Sequence, residues 1–302
     1  MNILKSCNLC NRNCNINRYL SQGVCGANQK LKVARCALHY YEEPCISGKN
    51  GSGAIFFSNC NLKCIFCQNK KISTNGYGEK ISIKRFSEIC IELQNNKAHN
   101  INLVTPTMYV PHIIKGIKKA RDNGLNIPII YNTSSYENVS TIKMLDKTID
   151  VYLPDLKYYD DNYAIKYSHV NNYFDNATKA IDEMYKQVGK VTFDKDGMIK
   201  KGVIVRVLLL PGLKEDAKKI INYLYNKYKD NIYISIMNQY TPLYKFKFFT
   251  NLNNKVTDEE YDEVVNYACD LGVVNGFIQE GETQSVSFIP KFDKTGIKKI
   301  TN

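Results

Sequence analysis

Short apolar runs alternate with segments of helical periodicity along most of the chain. The helical segments place apolar residues at positions i, i+3, i+4 and i+7, whereas the short runs are typical of strands. The predicted strands are Ala54–Phe57, Ile101–Thr105, Ile127–Tyr131, Ile149–Leu153, Val203–Leu210 and Ile232–Met237. This alternation predicts a mostly parallel sheet, either a βα barrel or an open doubly wound sheet, with ligands at the carboxyl ends of the strands.

Amphipathic helices are predicted between and after these strands. Their apolar sets begin at Phe86, Val110, Ala217 and Tyr261. The last helix follows a capping box, with Thr257 as the N-cap and Glu260 three residues later. Residues 188–202 are predicted to form a small hairpin insertion with Asp196 and Gly197 in its turn.

Composition is that of an ordinary globular protein. The 302 residues are 44% hydrophobic and 23% charged, enough for one large domain or for a domain with an appendage. No apolar run approaches the roughly 18 residues of a membrane span, and no signal-peptide core precedes the first cysteines. We therefore expect a cytoplasmic protein with no membrane partner.

Cysteines carry the strongest chemical signal. Nine of the eleven lie in the first 67 residues, which in a reducing compartment indicates metal or redox chemistry. Cys60, Cys64 and Cys67 have the spacing C-x-x-x-C-x-x-C directly after the first predicted strand. Four cysteines close a zinc site, whereas three leave one iron of a cubane cluster free to bind a substrate. Three buried thiols, or part of a zinc knuckle, are the alternatives.

This spacing, with aromatic Phe66 before the last cysteine, resembles the signature of the radical S-adenosylmethionine (SAM) superfamily. Further segments resemble its PflX group, which is similar to pyruvate formate-lyase activating enzymes. They are EEPCISGKNGSGAIFFSNCNLKCIFCQNKKIS, INLVTPTMYVP, DLKYYDD, VIVRVLLLPG and NQYTP.

The resemblance implies an α/β fold, a partial (βα)6 TIM-like barrel over residues 51–302, preceded by a small cysteine-rich cap over residues 1–50. It implies a [4Fe-4S] cluster on Cys60, Cys64 and Cys67, with SAM bound through its amino and carboxylate groups to the free iron. Reductive cleavage of SAM would yield a radical that abstracts a hydrogen atom, from a glycine of a partner protein if the likeness to activating enzymes extends that far. An electron donor of the flavodoxin or ferredoxin type is then expected.

The same resemblance implies a set of SAM-binding residues. They are Thr105, Thr107, Asn132, Asp155, Lys157, Arg206 and Gln239. Thr105 and Thr107 stand where many relatives have a Gly-Gly-Glu-Pro turn, and Ser135 stands where relatives often have glycine. Arg206 lies in an apolar strand and therefore needs an anionic partner. The SAM carboxylate is one such partner, and a structural salt bridge is the alternative.

A second group of cysteines lies near the amino terminus. Cys7, Cys10, Cys14 and Cys25 are closely spaced, and Gly23 and Gly26 flank the last one. Four thiolates near glycine turns predict a closed site that holds zinc or a second iron–sulfur cluster. Free or redox-active thiols are the alternative.

Two other function classes remain open from the residues alone. An iron–sulfur electron-transfer protein would share the cluster but would bind no SAM. A zinc-binding nucleic-acid-binding protein would use the net charge of +12, but the lysines are scattered rather than clustered with aromatic residues. The scattered lysines therefore argue against a nucleic-acid partner.

Overall fold

The computed structural model of the protein describes residues 3–279, 281 and 283–299. Within these residues ten strands form one sheet. The strands are β1 (Lys32–His39), β2 (Ser52–Phe57), β3 (Glu79–Lys80), β4 (Ile101–Val104), β5 (Ile129–Thr133), β6 (Val151–Pro154), β7 (Thr192–Phe193), β8 (Ile199–Leu208), β9 (Tyr233–Met237) and β10 (Gly276–Phe277). The helices are α1 (Pro44–Ser47), α2 (Lys70–Ser73), α3 (Ile83–Asn95), α4 (Val110–Asp122), α5 (Val139–Met144), α6 (Asp161–Ser168), α7 (Tyr173–Val188), α8 (Lys214–Tyr228) and α9 (Asp258–Leu271). Short 3-10 helices are Ile3–Lys5, Thr107–Tyr109, Lys229–Asn231, Thr250–Asn253 and Val286–Phe288.

The sheet is mostly parallel and open. Its strand order is β10-β9-β8-β6-β5-β4-β2-β1-β3, and β7 pairs with β8 outside this path. Neighbours from β10 to β2 are parallel, whereas β1 is antiparallel to both β2 and β3. Within the described chain the end strands β3 and β10 do not pair with each other, so the sheet does not close and the barrel is partial. This confirms the predicted α/β class, and β2, β4, β5, β6, β8 and β9 match the six predicted strands.

The parallel strands are buried on both faces, which explains their continuous apolar sequence. Every residue of β2, β5 and β6 is buried. The predicted helices α3, α4, α8 and α9 contribute their apolar stripes to the core. The capping box of α9 is present, because the Thr257 hydroxyl accepts from the backbone N–H of Glu260 and the Glu260 carboxylate accepts from the N–H of Thr257.

Strands β7 and β8 form the predicted hairpin. The Asp194 carboxylate accepts hydrogen bonds from the backbone N–H groups of Asp196 and Met198, and Gly197 has a positive φ of 75°. Because the hairpin extends the strand backwards, β8 begins at Ile199 rather than at the predicted Val203.

Other parts of the fold differ from the sequence-based expectation. Helices α5, α6 and α7 and strands β1 and β10 were not predicted, and β5 extends to Thr133, so Asn132 lies in the strand rather than after it. The predicted domain boundary at residue 50 stays a prediction. Strand β1 precedes this boundary and strand β2 follows it, and the two strands are hydrogen-bonded to each other.

A carboxyl-terminal segment covers the outer edge of β1 where β3 ends. The backbone N–H of Lys294 donates to the Ala34 carbonyl (3.1 Å), and the N–H of Cys36 donates to the Thr295 carbonyl (2.9 Å). Gly296 has a positive φ of 72°, and a Cβ there would lie 1.9 Å from the Cys36 carbonyl oxygen. The segment can therefore approach β1 this closely only with glycine at that position.

No helix in the described part of the chain is both long enough and apolar enough to cross a membrane.

Candidate active site

The loop that carries Cys60, Cys64 and Cys67 leaves the carboxyl end of β2. Asn59 and Lys63 have positive φ angles of 76° and 54°, which fold the loop tightly. The backbone N–H of Cys67 donates to the Cys64 carbonyl at 3.1 Å, and the N–H of Leu62 lies 3.4 Å from the Cys60 sulfur. These turns bring the three cysteines to one cavity at the carboxyl ends of the parallel strands, which we call the strand-end cavity.

Most of the predicted SAM-binding residues line this same cavity. They are Thr105 after β4, Asn132 in β5, Asp155 and Lys157 after β6, Arg206 in β8 and Gln239 after β9. Residues from five strands thus face the three cysteines, as expected when carboxyl ends of parallel strands meet at one edge. Tyr240 also lines the cavity, and its ring contacts Phe66 edge to face at a centroid distance of 6.1 Å.

Thr107 lies elsewhere. It starts a 3-10 turn, which directs its side chain away from the strand end, and its hydroxyl donates to Glu137 Oε1 at 2.5 Å. Thr107 lines the cavity of the amino-terminal cysteines instead. Its position therefore gives no support to the prediction that it contacts SAM.

Two serine hydroxyls donate hydrogen bonds to cysteine sulfurs. Ser168, the last residue of α6, lies 3.0 Å from the Cys64 sulfur, and Ser73, the last residue of α2, lies 3.3 Å from the Cys67 sulfur. The Tyr158 hydroxyl extends this network to Ser168 at 2.8 Å. Sequence analysis missed these contacts, because Ser168 and Tyr158 are far from the cysteines in sequence.

Burial makes the free thiols weak acids. It raises the pKa of Cys60 to about 12, and it also raises the pKa of Cys64, against the opposing effect of the Lys157 ammonium. Thiolates in this cavity therefore need a cation such as a metal centre to stabilise them.

Asp155 and Lys157 form a half-buried ion pair, with Lys157 Nζ 2.8 Å from Asp155 Oδ2. Burial alone would lower the pKa of Lys157, but the Asp155 carboxylate and the cysteines outweigh burial and hold the pKa above its usual value. Lys157 is thus a fixed positive charge beside the cysteine loop.

Arg206 has anionic partners within the protein. Its Nε donates to Glu43 Oε1 (2.8 Å), and its Nη2 donates to Glu43 Oε2 (2.6 Å) and to Glu42. Burial alone would raise the pKa of Glu43, but the guanidinium outweighs burial and lowers it. The structural salt bridge considered above as the alternative is therefore present. Both glutamates belong to the segment that begins EEP, but the sequence alone predicted no role for them.

Two residues of the cavity wall have backbone conformations that favour glycine. Thr105 has a φ of 57° and Ser135, which follows the lining residue Ser134, has a φ of 63°. A positive φ is costly for a β-branched residue, and such strain is found mainly at functional sites. Contacts hold both turns: the Thr105 N–H donates to the Asn132 carbonyl (2.9 Å), and the Ser135 hydroxyl donates to the Asp155 carbonyl (2.7 Å).

The cavity fits a cluster with a polar ligand beside it. Three sulfurs line it together with charged and amide side chains. Ser134 Oγ and Asn69 Oδ1, both on lining residues, are buried and have no hydrogen-bond partner in the described chain. Buried polar atoms are normally paired, so a bound polar molecule would satisfy them.

The four amino-terminal cysteines line a second cavity, which we call the cap cavity. It has a volume of about 20 Å³ and includes Arg18, Gly23 and Thr107 in its wall. A Cβ added to Gly23 would lie 3.5 Å from the Cys25 sulfur and 3.6 Å from the Cys14 sulfur, so glycine leaves these sulfurs their space. Burial raises the pKa of Cys10 to about 12.

Single-ion geometry is not formed at either group of cysteines. Within residues 3–279, 281 and 283–299, no three His, Cys, Asp or Glu side chains have the mutual spacing that holds one metal ion. The ligands of a cubane cluster bind different irons, so they do not require that spacing.

Comparisons with known proteins agree with this arrangement. The family described as Radical SAM superfamily matches residues 54–224. An uncharacterized protein of Methanocaldococcus jannaschii is 30% identical over an alignment of 277 positions that covers 88% of this chain and 75% of that protein.

Solved structures share the fold. HydG, a maturase of the [FeFe]-hydrogenase, matches 74% of this chain with a TM-score of 0.52 and 16% identity. SuiB of Streptococcus suis, bound to S-adenosylmethionine, matches 76% with a TM-score of 0.50 and 15% identity. The match spans half of HydG and half of SuiB. The family match covers the strand-end cysteines and most of the parallel sheet, and we conclude that the chain belongs to the radical SAM superfamily, whose members use a [4Fe-4S] cluster and SAM.

Proposed function

We propose that the protein reductively cleaves SAM and abstracts a hydrogen atom from a substrate, with Cys60, Cys64 and Cys67 as the cluster ligands. The observation that carries this proposal is the convergence of these cysteines with polar residues from five strand ends on one cavity. When bound, the reduced cluster supplies one electron to a carbon–sulfur bond of SAM, giving methionine and a 5′-deoxyadenosyl radical, which takes a hydrogen atom to become 5′-deoxyadenosine.

The charged and amide residues of the strand-end cavity would bind and orient SAM. Asp155 can accept hydrogen bonds from ribose hydroxyls, and Lys157 keeps positive charge beside the Cys64 thiolate. Arg206 uses Nε and Nη2 for the two glutamates, and its Nη1 donates no hydrogen bond within the described residues. We assign Nη1 to the SAM carboxylate, so that the glutamates hold the guanidinium in place.

Ser134 and Asn69 would supply the remaining polar contacts, because each has a buried oxygen without a partner in the part of the chain that the structure describes. Asn132 and Gln239 line the same cavity and add amide groups. The strained turn at Thr105 presents backbone groups at the place where relatives carry their glycine-rich turn.

The resemblance to the PflX group suggests a protein substrate. We infer that the abstracted hydrogen comes from a backbone glycine of a partner protein and that a flavodoxin or ferredoxin supplies the electron in the cytoplasm. The quoted motifs and the open sheet support this inference, because an unclosed barrel leaves room for a polypeptide. A second metal centre, zinc or iron–sulfur, at the amino-terminal cysteines is a separate proposal.

The cleavage reaction is tested by anaerobic reconstitution with iron and sulfide, followed by dithionite and SAM, with 5′-deoxyadenosine as the product measured. We expect product from the parent and none from Cys64→Ala. Cys269→Ala is the matched control, because Cys269 is exposed on α9. The proposal fails if a parent with a reducible cluster forms no product, or if Cys64→Ala forms as much as the parent.

The protein substrate is tested separately. Candidate partner proteins are incubated with the reconstituted enzyme, SAM and reductant, and glycine-centred radicals are sought by electron paramagnetic resonance. Cleavage of SAM without a protein radical on any co-expressed candidate would leave the reaction class intact and overturn the glycyl-radical assignment.

A further inference from the structure

The cap cavity contains a buried positive charge without a carboxylate partner. Arg18 is 1% exposed, and its guanidinium donates to the carbonyls of Met108 and Asn28, both at 2.6 Å. Its Nε has no partner, and no Asp or Glu forms an ion pair with it within residues 3–279, 281 and 283–299. A buried guanidinium without counter-charge is costly, so negative charge is expected nearby.

Cysteine sulfurs are the groups placed to supply that charge. Arg18 Nη1 lies 4.0 Å from the Cys7 sulfur, and Cys10, Cys14 and Cys25 line the same cavity. Thiolates at this depth need a bound cation that replaces their protons. A metal held by four thiolates carries a net negative charge, which the guanidinium would balance.

The size of the cavity selects the kind of metal centre. A volume of about 20 Å³ holds about one water-sized sphere, which occupies roughly 10–15 Å³. A single ion needs no more than this space, whereas a cubane of four irons and four sulfides needs more. Because the four sulfurs are not at single-ion spacing in the described chain, they would have to move inward around the ion. Four cysteine ligands around one ion are the ligand set of structural zinc.

Arg12, which lies between two of these cysteines in sequence, connects the cap to the strand-end loop. Its guanidinium donates to the carbonyls of Asn61 (2.9 Å) and Leu62 (3.2 Å), which lie between Cys60 and Cys64. It also donates to the carbonyls of Ser168 (3.0 Å) and His169 (2.5 Å) at the end of α6. Ser168 is the residue that contacts the Cys64 sulfur.

We propose that Cys7, Cys10, Cys14 and Cys25 bind one structural Zn²⁺, balanced by Arg18, and that this site holds the strand-end cysteine loop in place through Arg12. Binding releases the thiol protons and involves no change of oxidation state. The proposal does not depend on the radical reaction.

The metal is tested in a variant that lacks the strand-end ligands, Cys60→Ala/Cys64→Ala/Cys67→Ala. We expect this variant to contain one zinc per chain, and its Co²⁺ form to show the intense thiolate-to-cobalt absorption of four sulfur ligands. A folded variant that binds no Zn²⁺ or Co²⁺ would overturn the site. Iron and sulfide bound at these cysteines after reconstitution would overturn the choice of zinc.

Ligand substitutions in the same background identify the four residues. Cys25→Ala should abolish stoichiometric zinc, whereas Cys269→Ala should keep it. Because Cys25→Ala could fail to fold, Cys14→His keeps four ligands and should retain the ion with a cobalt spectrum shifted toward three sulfurs. An unchanged four-sulfur spectrum in Cys14→His would show that Cys14 is not a ligand.

The connection is tested in the otherwise unaltered protein. Arg12→Met should accelerate the loss of the strand-end cluster to a chelator by roughly tenfold, as expected for residues that support metal ligands, while 5′-deoxyadenosine formed per remaining cluster stays at the parental level. Arg35→Met is the control, because Arg35 hydrogen-bonds Lys291, Asp293 and Thr295 instead. Equal rates of cluster loss in Arg12→Met and the parent would overturn the connection.

Discussion

The two groups of cysteines lie in cavities of opposite kinds. The strand-end cavity contains three cysteines together with charged and amide side chains, and two of the sulfurs accept hydrogen bonds from serines. The cap cavity is small, and its wall combines four cysteines with apolar residues and two arginines. The difference suggests that the surroundings of the sulfurs, as much as the number of ligands, distinguish a site that admits a substrate from one that only holds the chain together.

The largest expected effect comes from exchanging one ligand in each cavity. Cys67→Ala should reduce 5′-deoxyadenosine formation to background, because an incomplete ligand set cannot hold the cluster for SAM. Cys14→Ala should keep the parental turnover per bound cluster, even if less cluster is retained. Product assays normalised to iron content make the comparison. Loss of turnover in fully loaded Cys14→Ala would mean that the cap takes part in catalysis.

The next effect concerns the ion pairs that Arg206 forms at the strand-end cavity. Arg206→Met leaves the buried Glu42 and Glu43 without their partner, and we expect the free energy of unfolding to fall by about 3 kcal/mol. Urea denaturation of the metal-free protein measures this. The control is Lys118→Met on the surface of α4, where Lys118 pairs with Asp122 and the loss should be about 0.5 kcal/mol or less. Equal effects would show that the arginine is not needed to neutralise the glutamates.

Glu137 lies between the two cavities and should affect stability in a pH-dependent way. Its Oε1 accepts from Thr107 and Thr133, its Oε2 has no partner in the described chain, and burial raises its pKa above the usual 4.5. Above pH 4.5 the unfolded chain loses a proton that the folded chain keeps. The parent should therefore lose stability with rising pH, by up to about 1.4 kcal/mol per unit until the folded pKa is reached.

Glu137→Gln replaces the titrating carboxyl group with an amide. The stability of the variant relative to the parent should therefore increase from pH 4.5 upwards. Denaturation of both proteins at several pH values gives the difference between their free energies of unfolding. The contributions of the other ionisable groups cancel in this difference. A constant difference across this range would contradict a raised pKa for Glu137.

The smallest effect concerns the serine contacts to sulfur. Ser168→Ala removes the hydroxyl that donates to Cys64. Loss of a hydrogen bond worth about 1 kcal/mol should lower the one-electron reduction potential of the cluster by about 40 mV. Redox titration followed by electron paramagnetic resonance measures the shift, and Ser73→Ala, with the longer contact, should shift it less. Ser87→Ala in α3 is the control, and a shift as large as that of Ser168→Ala would contradict the assignment.

Local patterns were sufficient to predict the parallel sheet. Each of the six central strands is predominantly apolar, because helices and loops bury both faces of the sheet. The cysteine loop was equally visible, since its three ligands lie within eight residues. The left-handed turns at Thr105 and Ser135 could be anticipated only where glycine was expected from relatives, because the side chains themselves do not favour that conformation.

Contacts between distant segments could not be predicted. Glu43 and Arg206 are separated by 163 positions, and Cys64 and Ser168 by 104, so no periodicity connects them. Strand β1 was missed because KVARCALH mixes charged and small residues and lacks a β-branched run. Thr107 lines the cap cavity rather than the strand-end cavity, and its hydroxyl bonds to Glu137, which is 30 positions away, so local sequence does not show where its side chain points.

The carboxyl-terminal segment that covers β1 has a consequence for self-association. An open sheet leaves backbone N–H and C=O groups exposed at its ends, and such edges can recruit strands from other molecules. Lys294 and Thr295 occupy those groups on β1, and the neighbouring strand β3 is only two residues long and carries Glu79 and Lys80. At this edge of the open sheet, few backbone groups are thus left to act as a template for aggregation or fibril growth.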